Sequence, residues 1–204
     1  LRASAFGDIE IMIPMISVLE EFTETKKFIE EIKLELKNEN VEFNENIKIG
    51  ALIETPSAAI IIDLILKEAD FISIGSNDLV QYMMACDRTN EKLSDLYNPI
   101  DISILRILKH IIDSTNNANK RITLCGEMGG VALYTPVLLG LGIRELSMSI
   151  NSIAKVKNTI RAISIKECED LVNEMLGKKD NSFSKSILNS FRNRINIKIY
   201  EGIN

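Results

Sequence analysis

Five short apolar runs, IEIMIPM (9–15), IKIGALIE (47–54), DFISIG (70–75), RITLCG (121–126) and ELSMS (145–149), alternate with longer stretches of helical period. Runs this short, without a long polar face, have the form of strands buried in a parallel sheet, and parallel neighbours need a crossover between them. The chain supplies those crossovers. SVLEEFTETKKFIEEIKLELKNEN sets Phe22, Phe28, Ile29, Ile32 and Leu36 at helical spacing with charges between them. TPSAAIIIDLILKEA opens with Thr55 as an N-cap and Pro56 at the first helical position, which predicts a helix from Ser57 to about Glu68. ISILRILKHIIDSTNNAN, SIAKVKNTIRA and KECEDLVNEMLG predict three more helices. Residues 76–99 read as a long connection closed by Pro99, and such a loop in a compact domain is a place to look for function.

The fold class expected is therefore α/β, built from repeated βα units. Parallel strands with helical crossovers allow an open doubly wound sheet or a closed eight-stranded (β/α) barrel. Five strands are too few to close a barrel. The start, LRASAFGDIE, has neither an initiator methionine nor a signal-peptide core, so the chain reads as an internal piece of a longer protein, and the residues alone leave both architectures open. No linker divides residues 1–204, and one unit is expected.

Composition narrows the partners. A net charge of −5 and a pI near 5.1 give no basic footprint for nucleic acid, and aromatic and basic residues do not interleave. No apolar stretch reaches the length of a membrane span, so no membrane insertion is expected. Cys86, Cys125 and Cys168 form no CxxC pair, which suits reduced thiols in the cytoplasm. A single histidine, His110, argues against a histidine metal site and against a Ser-His-Asp triad within the chain.

In both architectures function gathers at the carboxyl ends of strands. Those ends hold Glu54, then Asn77 with Asp78, then Cys125, then Ser147 to Ser149. Two carboxylates from successive strand ends suit a hard cation such as Mg2+, which keeps room for water and substrate oxygens. Arg88 lies in the loop after Asp78, and a guanidinium clamps phosphate or carboxylate. A cation, an arginine, an amide and a thiol at one rim point to a small anionic substrate that passes through an enolate-like state. Each residue also has a plainer role. Glu54 suits a helix start, Asn77 and Asp78 suit a turn, Arg88 suits a solvated surface, and Cys125 suits a small core position. Cys86 and Cys168, away from strand ends, keep that core role. His110 reads as a helix-face residue, and Asp63 and Asp87 as structural.

DFISIGSNDLVQYMMACDR (70–88) resembles a signature of the phosphoenolpyruvate-utilising enzymes, and IGALIETPSAA, RITLCGEMGG and ELSMSINSIAKVKNTIR resemble its flanking blocks in order. With RASAFGDIEIMIPM ahead of them, these segments carry the resemblance to about Ala162. It is greatest to the Enzyme I branch, from the bacterial phosphoenolpyruvate:sugar phosphotransferase system. The resemblance implies a (β/α)8 TIM-type barrel truncated to about its last five βα units. It implies that Glu54 and Asp78 ligate Mg2+, and that Asn77, Asp78 and Arg88 bind phosphoenolpyruvate. Cys125 would be the proton donor that converts enolpyruvate to pyruvate. It further implies phosphoryl transfer to a histidine of an N-terminal domain and on to the carrier HPr, in a cytoplasmic homodimer. Further phosphate-binding arginines of the family lie on earlier strands, so the piece alone is expected neither to turn over phosphoenolpyruvate nor to phosphorylate a carrier. Pyruvate phosphate dikinase and phosphoenolpyruvate synthase share the metal, arginine and cysteine motifs and stay as alternatives. A purely dimerising scaffold stays as another, and a generic Mg2+-dependent aldolase or lyase barrel leaves Cys125 without a reason. The tail from about Lys178 resembles the family weakly and carries no functional reading.

Overall fold

The structure is a computed structural model that describes residues 1–87, 89–90, 96–177 and 186–193. Four strands, β1 (Ile11–Ile13), β2 (Ile49–Ile53), β3 (Phe71–Gly75) and β4 (Arg121–Cys125), form one parallel sheet in the order of the chain. The expected fifth strand is corrected to a single parallel bridge between Leu124 and Leu146. Leu124 donates to Glu145 O and accepts from Ser147 N, and four residues later the chain is already helical. One ladder rung on one side is all that such a short segment secures.

The crossovers fall where the periodicity predicts. α1 (Leu19–Asn38) joins β1 to β2, and α2 (Pro56–Ile60) with α3 (Ile62–Glu68) joins β2 to β3. Thr55 accepts from Ala58 N as the N-cap, and Pro56 follows it. The helix expected to run unbroken to Glu68 steps at Ile61, whose backbone leaves the helical region. The connection after β3 differs from the expected loop, because its first eight residues form α4 (Ser76–Met83). Asn and Asp favour turns, but burial of Leu79 and Val80 holds this segment helical. α5 (Ile102–Asn117) leads to β4, its N-cap Asp101 accepting from Ser103 N. Short α6 (Glu127–Gly130) and α7 (Thr135–Leu141) precede the Leu146 bridge. α8 (Ile150–Arg161) and α9 (Ile165–Leu176) follow it, and residues 186–193 are helical.

Register divides the sheet into two faces. Ala51, Ile72 and Ile122 share one row, and Ile53, Ile74 and Leu124 the next. These six join one core with Phe22 and Ile29 of α1, Ile62 and Ile65 of α3, and Leu105, Leu108 and Ile112 of α5. Each large side chain buried there contributes about 1.5–3 kcal/mol of transfer free energy. The opposite face carries Leu52, Ser73 and Thr123 in one row and Gly75 beside Cys125 in another. None of these belongs to that core, although Leu52 and Ser73 are buried where they stand. This second face is concave. Glu10, just before β1, pairs with Arg121 at the start of β4, and the Arg121 guanidinium stacks 4.8 Å over the Phe71 ring. A flat sheet would hold those strands about 14 Å apart, beyond the reach of the two side chains, so the sheet must curl toward this face.

Candidate active site

Glu54 follows β2 directly and is only 4% exposed. Its Oε1 accepts a 2.8 Å hydrogen bond from Met15 N, offered by a residue at φ 55° in the left-handed region. Such a conformation costs about 1–3 kcal/mol at a residue other than glycine and is commonest where function requires it. The carboxyl of Asp78, in the first turn of α4, lies near enough to act on that of Glu54 electrostatically. Burial raises the Glu54 pKa and the Asp78 charge adds to it, and together they outweigh the Met15 hydrogen bond, which acts the other way. Glycine at position 75 makes the meeting possible. A Cβ there would lie 2.6 Å from Glu54 Oε2 and 2.8 Å from Glu54 Cβ.

Gly75 pairs in register with Cys125, so the thiol sits one strand over from the carboxylate pair, on the same concave face. Cys125 is half-buried, with its S–H turned to Ile74 O at 3.4 Å and its sulfur accepting from Ser73 Oγ at 3.7 Å. Ser73 in turn accepts from Thr123 Oγ1 at 2.9 Å. The end of β4 is pinned to the start of α4. Ser76 Oγ donates to Cys125 O at 2.8 Å, and Asn77 Oδ1 accepts from Glu127 N at 2.9 Å. Gly126 lies between them at φ 99°, where a Cβ would meet Ser76 Oγ at 2.5 Å and Asn77 Oδ1 at 2.9 Å.

The structure thus brings Glu54, Asp78 and Cys125 to one end of one sheet face. Asn77 flanks them with its amide oxygen committed to the Gly126–Glu127 turn, and lines a cavity of about 560 Å3 with Ser147, Ser149 and Ser152. Arg88 lies outside the described residues. Cys86 and Cys168 are buried, and burial followed by the Glu167 charge pushes the Cys168 thiol up to about 11. His110 is exposed on α5. Sequence reasoning missed Ser73, Thr123 and Gly75. The available signal was a polar or absent side chain recurring at every second position of otherwise apolar strands. Among the described residues no three His, Cys, Asp or Glu side chains cluster as a metal cage. Two neighbouring carboxylates, Glu54 buried and Asp78 half-buried, still fit Mg2+, which uses one or two carboxylates and takes its remaining oxygens from substrate and water.

Comparison with known proteins agrees with this architecture. A family model described as the PEP-binding domain of PEP-utilising enzymes matches residues 1–165. A phosphoenolpyruvate-protein phosphotransferase of Buchnera aphidicola from Schizaphis graminum is 44% identical over 191 residues, covering 94% of this chain and 34% of the relative. Its namesake in Mycoplasma capricolum is 40% identical over 195 residues, covering 96% and 34%. The chain therefore spans about a third of the length of the curated relatives it matches. Among solved structures, a citrate lyase of Burkholderia xenovorans superposes with a TM-score of 0.55 at 14% identity, covering 91% of this chain and 64% of the other. The citrate lyase beta subunit of M. tuberculosis, complexed with oxaloacetate and magnesium, gives 0.50 at 12%, covering 74% and 61%. At such identities the likeness speaks for the fold alone, an α/β architecture on a parallel sheet. Among the described residues no helix is long and apolar enough to cross a membrane.

Proposed function

This chain belongs to the phosphoenolpyruvate-utilising enzymes through their PEP-binding domain, and from that premise we propose that it is the substrate-binding part of a phosphoenolpyruvate-protein phosphotransferase. The observation that carries the proposal is the Glu54–Asp78 carboxyl pair, set one strand from the Cys125 thiol. Glu54 and Asp78 would hold Mg2+, which when bound neutralises charge on the phosphate and on the developing enolate. Asn77 and Arg88 would bind the phosphoryl group, a guanidinium being the natural clamp for such an anion. Cys125 then gives its proton to the methylene carbon of enolpyruvate: the S–H bond breaks, a C–H bond forms, and the enolate oxygen becomes the carbonyl of pyruvate. The phosphoryl group goes to a histidine of an N-terminal domain in the complete protein, and from there to the carrier HPr.

The strand order without reversal and the curl bridged by Glu10 and Arg121 support an arc of a (β/α)8 barrel, with the Leu146 segment as its last position. The complete protein would be a cytoplasmic homodimer. Relatives at 40–44% identity that carry the phosphotransferase name favour this reading over pyruvate phosphate dikinase or phosphoenolpyruvate synthase.

Cys125→Ala in the full-length protein tests the chemistry. Phosphoryl exchange with pyruvate should fall by about 10²–10⁴-fold, the usual cost of losing a general acid, with Mg2+-dependent phosphoenolpyruvate binding retained. An unchanged exchange rate would return Cys125 to a packing role.

A further inference from the structure

We propose that Thr123 is a positioning residue for this reaction, fixing through Ser73 the direction in which the Cys125 proton is held and withdrawn. The inference rests on the reading of Cys125 as the acid. Ser73 and Thr123 are paired in register across β3 and β4, on the same concave face as Cys125, and Ser73 is only 3% exposed. Three protons point along one chain: from Thr123 Oγ1 to Ser73 Oγ, from Ser73 Oγ to Cys125 Sγ, and from Cys125 Sγ to Ile74 O. A hydroxyl has one proton and two lone pairs. With the Thr123 proton seated on its oxygen, Ser73 does not donate to Thr123, and its own proton goes to the sulfur. The S–H is thereby kept off Ser73 and rests on Ile74 O of the neighbouring strand.

When Cys125 gives its proton to the methylene carbon, the electron pair of the broken S–H bond stays on sulfur, and the Ser73 O–H is already aimed at it. A hydrogen bond to a charged partner is stronger than one between neutral groups, and a second hydroxyl behind it polarises it further. Ser73 touches the reacting sulfur, whereas Thr123 acts only through Ser73. Cross-strand hydroxyl pairs also serve as ordinary sheet contacts. In that case, losing Thr123 would change stability and nothing about the sulfur.

Two readouts in the full-length protein separate these roles: deuterium exchange into the methyl group of pyruvate, and the rate at which iodoacetamide alkylates Cys125. Thr123→Val should lower kcat for exchange about fivefold, the size expected of one neutral hydrogen bond, with KM for pyruvate unchanged and alkylation slowed to match. Thr123→Ser should restore both. Thr123→Ala, which only makes room, gives the same readings if valine is not tolerated at this position. Wild-type exchange and alkylation in both Thr123→Val and Thr123→Ala overturn the inference. Cys125→Ala keeps the two claims apart. If it abolishes exchange while the Thr123 variants leave exchange untouched, only the present inference is lost; if it exchanges at the wild-type rate, the reading of the acid falls and the role of Thr123 with it.

Discussion

Glu54 is held where a carboxylate is least comfortable: nearly sealed from water, and sharing its place with Asp78. Its raised pKa makes a prediction with a definite sign. A carboxyl whose folded-state pKa lies above its unfolded value contributes stability that is present below the unfolded pKa, about 4.3, and is lost as pH rises through the folded pKa. At neutral pH without metal, Glu54→Gln should therefore raise the melting temperature, because the amide keeps an acceptor for Met15 N and drops the charge. The gain should vanish in acid. In a chain of this size each ~1 kcal/mol appears as about 2–4 °C, so thermal unfolding at two pH values resolves it. Mg2+ should stabilise the wild type and leave Glu54→Gln unmoved. A lower melting temperature in the variant at neutral pH would contradict this account of the carboxyl pair.

At the scale of elements, the site depends on how strand ends are tied to the helices that follow them. Thr55 Oγ1 donates to Ile16 O at 2.6 Å and accepts from Ala58 N, so one buried hydroxyl joins the turn after β1 to the start of α2, beside Glu54. Thr55→Val keeps the shape and leaves both partners unpaired. It should cost about 1–3 kcal/mol for each group left buried without a partner, read by urea unfolding, and an unchanged midpoint would show that water replaces the hydroxyl. The strand ends were also what the sequence made legible. Glu54, Asp78 and Cys125 could be found because a strand followed by a turn residue marks a functional end whichever α/β architecture applies. α4 was hidden because Ser-Asn-Asp is turn chemistry, and only the burial of Leu79 and Val80, a property of the folded chain, keeps it helical. The Ser73–Thr123 pair was hidden for another reason. DFISIG and RITLCG each set a hydroxyl at an alternating position, but only the β3–β4 register puts the two in one row.

The molecule as a whole is a curled sheet with helices on its convex side and a chemical face on its concave side. Among the described residues β1 has a sheet neighbour on one side only, and the far edge ends in the Leu146 bridge, so the arc they form carries two open edges. A substrate on its concave face would meet the carboxylates and the thiol but not the arginines expected on earlier strands. The chain alone should then release no pyruvate from phosphoenolpyruvate in a coupled assay, and turnover by it would refute the division of the site. The most direct test of the central claim, that Glu54, Asp78 and Cys125 serve one bound substrate, is protection of Cys125 from alkylation in the full-length protein. Cys86 and Cys168 are buried, which leaves Cys125 as the accessible thiol among the described residues. Phosphoenolpyruvate should slow its alkylation when Mg2+ is present, not when Mg2+ is withheld, and not in Glu54→Gln. Alkylation at one rate under all three conditions would contradict the shared site.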